Sequence, residues 1–299
     1  MKNIKTLVQD IDDMLSGVMN DGISPEISDD VFKEFGKNCA YALRRQLTAR
    51  PVDASKNLRV SSLGKCQRVL WYEANSSQPT EDNVGSLVTR FLLGDLIEEV
   101  VLAYAKAAGH TVEMEQKEIT LTTPDGTESI KGHIDCVIDG HLVDVKSASS
   151  YAFKSKFKEG GLLHDDAFGY LDQIASYGYA LGNTPIGGFL AMDKQSGELC
   201  LYNPPPRTRS ALQPDEKLAE VIESNGALDP PERPYAPKAS GKSGNEELPI
   251  NCQYCKRKRE CYEGSPLRIF QSSTGPKYLT KIVREPRMQE ITWDQAGKL

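Results

Sequence analysis

A long apolar run is missing from this chain. No stretch approaches the roughly 18 consecutive apolar residues of a membrane-spanning helix, so no helical membrane span is expected. The opening residues, MKNIKTLVQDIDDML, alternate acidic and apolar side chains and lack the apolar centre of a signal peptide. The expectation is a cytoplasmic protein. A surplus of positive charge is missing too: 36 Lys and Arg stand against 42 Asp and Glu, a net charge of −6, with a pI near 5.4. Such a chain does not coat nucleic acid by bulk electrostatics; a local basic groove stays compatible with it. No internal repeat is visible. The seven cysteines lack a setting for disulfides, because in a reducing compartment clustered cysteines point to metal.

What is present suits one large globular domain or two ordinary ones, with 39% hydrophobic and 26% charged residues in 299. Helical patterning covers residues 1–50, 61–74 with Ser61 or Ser62 as N-cap, and 84–108 closed by Gly109. A polar loop spans 75–83. Strand-like runs follow at 117–123, 129–138 and 142–148, then a basic, glycine-rich connection at 150–163. A helix at 166–181 and strands at 186–192 and 198–202 complete an α/β domain with a central mixed sheet. From Pro204 to Pro249, Pro204-Pro-Pro206, Pro230-Pro-Glu-Arg-Pro234 and Ala239-Ser-Gly-Lys-Ser-Gly-Asn245 describe an extended, partly mobile segment, with a short helix around 216–223.

The chemistry gathers in GHIDCVIDGHLVDVKS, residues 132–147. Asp139-Gly140 is a strong signal for a two-residue hairpin turn. With that turn, Ile138 faces His141, Val137 faces Leu142, and Asp135 lies opposite Asp144. Side chains alternate along a strand, so Lys146 shares the face of the two carboxylates. The other face, with Ile134, Cys136, Ile138, Val143 and Val145, is apolar. Two opposed carboxylates repel, and burial sharpens the conflict. Lys146 offers one positive charge, and a divalent oxygen-seeking cation, Mg²⁺ or Mn²⁺, offers the rest. The alternative is a solvent-facing ladder of ion pairs. Asp139, taken as the most exposed acid, has no part in this chemistry.

The order Gly132-His-Ile-Asp135, turn, Asp144-Val-Lys146 resembles the PD-(D/E)XK nuclease superfamily, with Asp in place of the more frequent Glu. The resemblance implies that Asp135 and Asp144 bind metal and that Lys146 is the catalytic lysine. On the 84–108 helix, Arg90, Gly94 and Glu98 form a polar stripe, and Gly94 leaves room for close approach of another backbone or of substrate. Gly94-Asp-Leu-Ile-Glu98 resembles a helix motif of the RecB-like branch, implying Glu98 as third ligand; Asp95 and Glu99 point elsewhere. Gln173 and Tyr177 lie one helical turn apart and resemble the Q-x-x-x-Y motif of that branch, which lines the site and positions DNA. The fold expected is thus a restriction-endonuclease-like core at 60–203, between a helical region at 1–59 and an extended segment at 204–250.

Cys252, Cys255 and Cys261 form C-x₂-C-x₅-C, three ligands at metal spacing, where zinc or an iron–sulfur cluster needs four. The candidates for the fourth are Cys39, Cys66, Cys136 and Cys200, of which Cys136 and Cys200 read as core and Cys39 as part of an amphipathic helix. One cysteine before the core and three after it resembles the CRISPR-associated iron–sulfur exonucleases. That resemblance implies a [4Fe–4S] cluster on Cys66, Cys252, Cys255 and Cys261, tying a cysteine segment at 251–265 to the core; structural zinc is the rival. The tail, 266–299, has no assigned role. The whole implies a metal-dependent exonuclease acting on DNA ends, single-stranded and 5′-to-3′, in recombination, repair or phage DNA processing. A helicase, recombinase or single-strand-binding protein is the kind of partner it implies. Arg44, Arg45, Arg59, Lys65, Arg68 and the 256–259 basic run are candidate DNA contacts. Phe153-Lys-Ser-Lys-Phe157-Lys158 suits stacking with phosphate contact, or is a solvated loop. Alternatives of another class are a non-catalytic DNA-binding adaptor and a zinc-stapled endonuclease.

Overall fold

The computed structural model describes residues 2–48, 58–77, 84–205 and 212–297. Residues 78–83 of the expected polar loop, and Pro206, lie outside the described residues. Along the chain run α1 (Leu7–Ser16), α2 (Asp29–Leu47), α3 (Gln67–Asn75) and α4 (Val84–Ala107). Strands β1 (Val112–Glu113), β2 (Glu118–Thr122), β3 (Ser129–His133), β4 (Cys136–Ile138) and β5 (His141–Ala148) follow. Next come α5 (Ser150–Ala152), α6 (Tyr170–Ala180), β6 (Ile186–Asp193), β7 (Leu199–Tyr202) and α7 (Pro214–Asn225). The last part holds β8 (Lys238–Ser240), β9 (Asn245–Glu247), α8 (Ile250–Gln253), α9 (Lys258–Cys261), β10 (Arg268–Ser272), β11 (Gly275–Lys281), β12 (Glu290–Ile291) and α10 (Trp293–Ala296). Among the described residues no helix is long and apolar enough to cross a membrane.

The chain divides into two compact units, Met1–Gly64 with Val88–Glu220, and Lys65–Leu87 with Val221–Leu299. The first is a mixed α/β unit. Its five-stranded sheet has the order β1-β4-β5-β6-β7, antiparallel except for the parallel β5–β6 pair. That parallel pair needs a crossover, and the segment containing α6 provides it. On one face, Cys136, Ile138, Val143, Val145 and Leu190 pack with Leu7 and Ile11 of α1 and Val101, Leu102 and Ala105 of α4. Each fully buried Leu or Ile side chain contributes roughly 1.5–3 kcal/mol. Within the helical region expected at 1–59, α1 completes the core of this unit. Phe189 and Ala191 are buried on the alternate positions of β6, where Tyr170 of α6 brings its ring within 6.1 Å of Phe189.

The hairpin has the expected register, with Cys136 opposite Val143, Val137 opposite Leu142 and Ile138 opposite His141. Asp139 (φ 49°) and Gly140 (φ 77°) are both left-handed, as a type I′ turn requires. Asp139 itself differs from expectation. Its side chain is only 10% exposed; Oδ1 accepts the Thr111 N–H at 3.1 Å and Oδ2 lies 2.7 Å from His110 Nδ1. The run at 129–138 is not one strand. β3 pairs with β2 in a separate two-stranded ribbon, because the Ile134 N–H donates to Lys117 O and Asp135 O accepts the Gln116 N–H. Those bonds turn the chain aside just before β4.

The second unit carries an all-antiparallel sheet of order β12-β10-β11-β9-β8. Leu248, Tyr262, Ile269, Tyr278, Ile291 and Ala296 form its core. One expectation is corrected, and one unassigned segment gains a structure. Residues 239–245, expected to be extended and partly mobile, make the β8–β9 hairpin, and the 266–299 tail, to which no role was assigned, supplies three strands. Asn245 explains the order of the first: it is 5% exposed, donates to Arg284 O at 2.8 Å and accepts the Val283 and Arg284 N–H groups. The helix expected from Ser61 begins only at Gln67, with Cys66 at its N-cap; Val60–Ser62 is a single 3₁₀ turn. Its place in the second unit also corrects the 60–203 core, which was expected to include it.

Candidate functional site

Asp144 and Lys146 stand two residues apart on β5, so alternation sends both to the face away from α1. Asp144 is 1% exposed, and its Oδ2 lies 2.5 Å from Lys146 Nζ. Asp135, one residue before β4, uses its carboxylate in place of a strand partner: Oδ2 accepts the Val145 N–H at 2.7 Å. Glu98 of α4 is close enough that its charge raises the proton affinity of Asp135, and the Asp144 charge raises that of Glu98. Gln173 of α6 donates through Nε2 to the Tyr177 hydroxyl at 3.1 Å and, in a longer contact of 3.5 Å, to Asp144 Oδ1. The six residues singled out by motif therefore gather in the first unit.

Neighbouring acids on α4 point away. Asp95 pairs with Arg45 at 2.7 Å and accepts from Gln46 Nε2, while Glu99 accepts from Asn38 Nδ2 at 3.0 Å. Gly94 is less crowded than expected: a Cβ there would meet Ser147 Oγ at 3.7 Å, an ordinary contact. Gly132 is more crowded than Gly94: a Cβ there would come within 2.9 Å of Val60 Cβ and 3.1 Å of the Tyr177 ring. Sequence reasoning missed two residues. The Lys146 ammonium sits 4.5 Å from the centre of the Tyr170 ring, a cation–π contact; the spacing of Tyr170 one turn before Gln173 could have signalled it. Gln116 donates through Nε2 to Glu98 Oε1 at 2.6 Å, and no sequence pattern marks it.

Three carboxylates face one ammonium here. Without a cation the conflict is met by protonation. Burial, then Asp144 and Glu98, push the Asp135 carboxyl well above the usual range. Burial, with Glu99, Asp144 and Asp95 adding to it against the Gln116 hydrogen bond, lifts Glu98 from 4.5 to about 7. A carboxyl raised in the folded state favours the fold below its unfolded value, and that contribution is lost as pH rises through the folded value. For Glu98 the rise corresponds to about 3 kcal/mol. In a chelator, the melting temperature of the wild type should thus fall more between about pH 5 and 8 than that of Glu98→Gln. Equal slopes in thermal denaturation would remove Glu98 from the buried acidic group.

As the side chains stand, no three His, Cys, Asp or Glu among the described residues are close enough together to hold a metal ion. The acidic site nevertheless has the donors for one. Asp144 Oδ2 is buried and is met by the Lys146 ammonium at 2.5 Å. Oxygen donors in carboxylate excess over that one ammonium suit Mg²⁺ or Mn²⁺. Glu98, Asp135 and Asp144 are the residues that would hold it.

A cavity of about 920 Å³ opens at Gln116 and Tyr177, lined also by Tyr41, Arg59, Glu118, Lys131 and His133 among others. Arg59 is exposed and has no carboxylate partner among the described residues. The other expected DNA contacts are largely engaged. Arg45 pairs with Asp95, Lys65 with Glu73, Arg257 with Glu260, and Arg68 bonds to Cys261 Sγ. The aromatic–basic stretch is corrected too. Phe153 and Phe157 are 2% and 5% exposed, Lys156 pairs with Asp165 and Lys158 with Glu198; these rings belong to the core and offer no stacking platform.

In the second unit Cys66, Cys252, Cys255 and Cys261 line one small cavity. Burial pushes the Cys252 thiol up to about 11 and Cys255 to about 12, with the neighbouring thiols adding to it. Arg68 Nε donates to Cys261 Sγ at 3.2 Å. Arg233 donates to the Cys261 carbonyl through Nε at 3.0 Å and stacks on Tyr262 at 4.4 Å. Four sulfur donors beside an arginine suit a thiolate-ligated centre in number and kind; Cys39, Cys136 and Cys200 belong to the first unit.

No family model matches the chain, and no curated protein matches it. Among solved structures, that described as the crystal structure of SSO0001 is similar at 15% identity, covering 76% of this chain and 94% of that one, with a TM-score of 0.39.

Proposed function

We propose that this chain is a divalent-metal-dependent DNA nuclease of the PD-(D/E)XK type, in its RecB-like branch. It degrades DNA from an end, a single strand in preference and 5′-to-3′, in recombination, repair or phage DNA processing, and carries a [4Fe–4S] cluster on its four-cysteine set. The observation that carries the reading is the convergence of Glu98, Asp135, Asp144 and Lys146, three carboxylates against one ammonium.

A cation held there would polarise the scissile phosphate and make its bound water a stronger nucleophile. The chain's own groups do the rest. Burial works against the charge on Lys146, but Asp144 and Asp135 outweigh it and keep the ammonium charged. Lys146 therefore stabilises negative charge on the phosphate and orients the attacking water. Gln173 and Tyr177 fix the face of Asp144 opposite that ammonium. Water adds to phosphorus as the bond to the leaving oxygen breaks. The strand arrives through the cavity, where Arg59 meets a phosphate and the exposed Tyr41 meets a base, while Lys131 there is paired with Glu118 at 2.6 Å.

The test uses end-labelled linear and closed circular DNA, single- and double-stranded, with and without Mn²⁺. Linear DNA should shorten only with Mn²⁺, circles should survive, and Asp144→Asn should slow the loss by about 10²-fold or more. Circles cut as fast as linear DNA would mean an endonuclease. DNA bound but never cut would leave a non-catalytic adaptor.

A further inference from the structure

Gln116 stands where no motif places a functional residue. Its backbone is left-handed (φ 51°), as is that of Met114 (φ 56°). Residues with a Cβ hold that conformation only where the surroundings enforce it, and such strain concentrates at functional sites. Here the enforcement is visible. The Lys117 N–H donates to Met114 O at 3.1 Å and closes the turn. The Gln116 N–H then donates to Asp135 O at 3.0 Å, and the Ile134 N–H to Lys117 O at 3.1 Å. The strained turn is thus stitched to the backbone of the acid that leaves its strand to enter the site.

From that turn the Gln116 side chain does two things. Its Nε2 donates to Glu98 Oε1 at 2.6 Å, and it lines the cavity that also reaches Tyr177, Arg59 and His133. A glycine would meet the backbone requirement with less strain. What glycine lacks is the amide that reaches Glu98. One residue therefore ties the main chain of Asp135 to the side chain of Glu98, at the edge of the cavity it lines.

We infer that Gln116 is a positioning residue of the acidic site: its amide holds one oxygen of Glu98 and leaves the other aimed, with Asp135 and Asp144, at a divalent cation. The inference rests on the nuclease reading above. Partners that orient a ligating side chain are worth about 10–100-fold in metal affinity or activity.

The experiment measures Mn²⁺ affinity by titration calorimetry, melting temperature in chelator, and kcat and KM for labelled DNA, for the full chain. The variants are Gln116→Met, which keeps length and removes the donor, and Gln116→Gly, which also relieves the backbone; Asp144→Asn is the control. Both Gln116 variants should bind Mn²⁺ about 10–100-fold more weakly, and kcat at fixed Mn²⁺ should fall more than KM rises. The melting temperature should hold in Gln116→Met and hold or rise in Gln116→Gly. A merely structural role predicts the reverse: lowered melting temperatures with Mn²⁺ affinity within twofold of wild type. That result overturns the inference and leaves the nuclease reading standing. A wild type that neither binds Mn²⁺ nor cleaves DNA overturns both.

Discussion

Replacing Lys146 by Met should lower cation-dependent DNA cleavage by about 10²- to 10³-fold, the scale of losing one preorganised charge from a transition state. Cation affinity should not fall. Nζ lies 2.5 Å from Asp144 Oδ2, so the ammonium and a cation would compete for the same oxygen. Removing it leaves Glu98, Asp135 and Asp144 intact and frees the last of these. Methionine fills the space against the Tyr170 ring, which the ammonium now faces at 4.5 Å, and the uncompensated charge is absorbed by protonation, to which Asp135 is already disposed. The fold should therefore survive. Cleavage within threefold of wild type, measured on the same labelled strand with calorimetric Mn²⁺ binding alongside, would falsify the assignment of Lys146 to the chemistry. Lost binding together with lost cleavage would instead make Lys146 a prop for the carboxylates.

The second large effect is expected at the cysteines. Protein purified without oxygen should be brown, with iron and sulfide in matching amounts, and Cys66→Ser should lose both. Cys39→Ser should lose neither, since Cys39 lies on α2 of the other unit and Cys66 shares a cavity with Cys252, Cys255 and Cys261. The second unit has its own core around Leu248, Ile269 and Tyr278, so Cys66→Ser should leave folded protein from which metal can be assayed. Colourless wild type with one zinc per chain would replace the cluster by a structural zinc. Metal retained in Cys66→Ser and lost in Cys39→Ser would mean that another cysteine completes the set.

Much of the acidic face is legible in the amino-acid order alone. The Asp139-Gly140 turn sets the pairing, and a period of two then places Asp144 and Lys146 on one face, in agreement with the observed register. These are local relations, spanning a turn and a few residues of strand. The same locality misleads elsewhere. Phe153 and Phe157 alternate with lysines and suggest an exposed loop, but both are buried, Phe157 with its ring beside that of Phe189. Asp139 suggests an exposed acid because nothing nearby in the chain partners it; His110 does, from far upstream.

By itself the sequence determined the elements whose signals lie within one turn or one helical repeat: the hairpin register, the long α4 helix ended by Gly109, the Gln173–Tyr177 spacing and the C-x₂-C-x₅-C run. Only the tertiary structure decided what those elements meet. It drew α1 into the core, turned Asp135 out of its strand onto the Val145 N–H, set Gln116 on Glu98 and Tyr170 under Lys146, and folded residues 238–291 into a second sheet. The physical reason is that each of these contacts joins groups distant along the chain, and their free energy comes from packing and desolvation that no local period encodes.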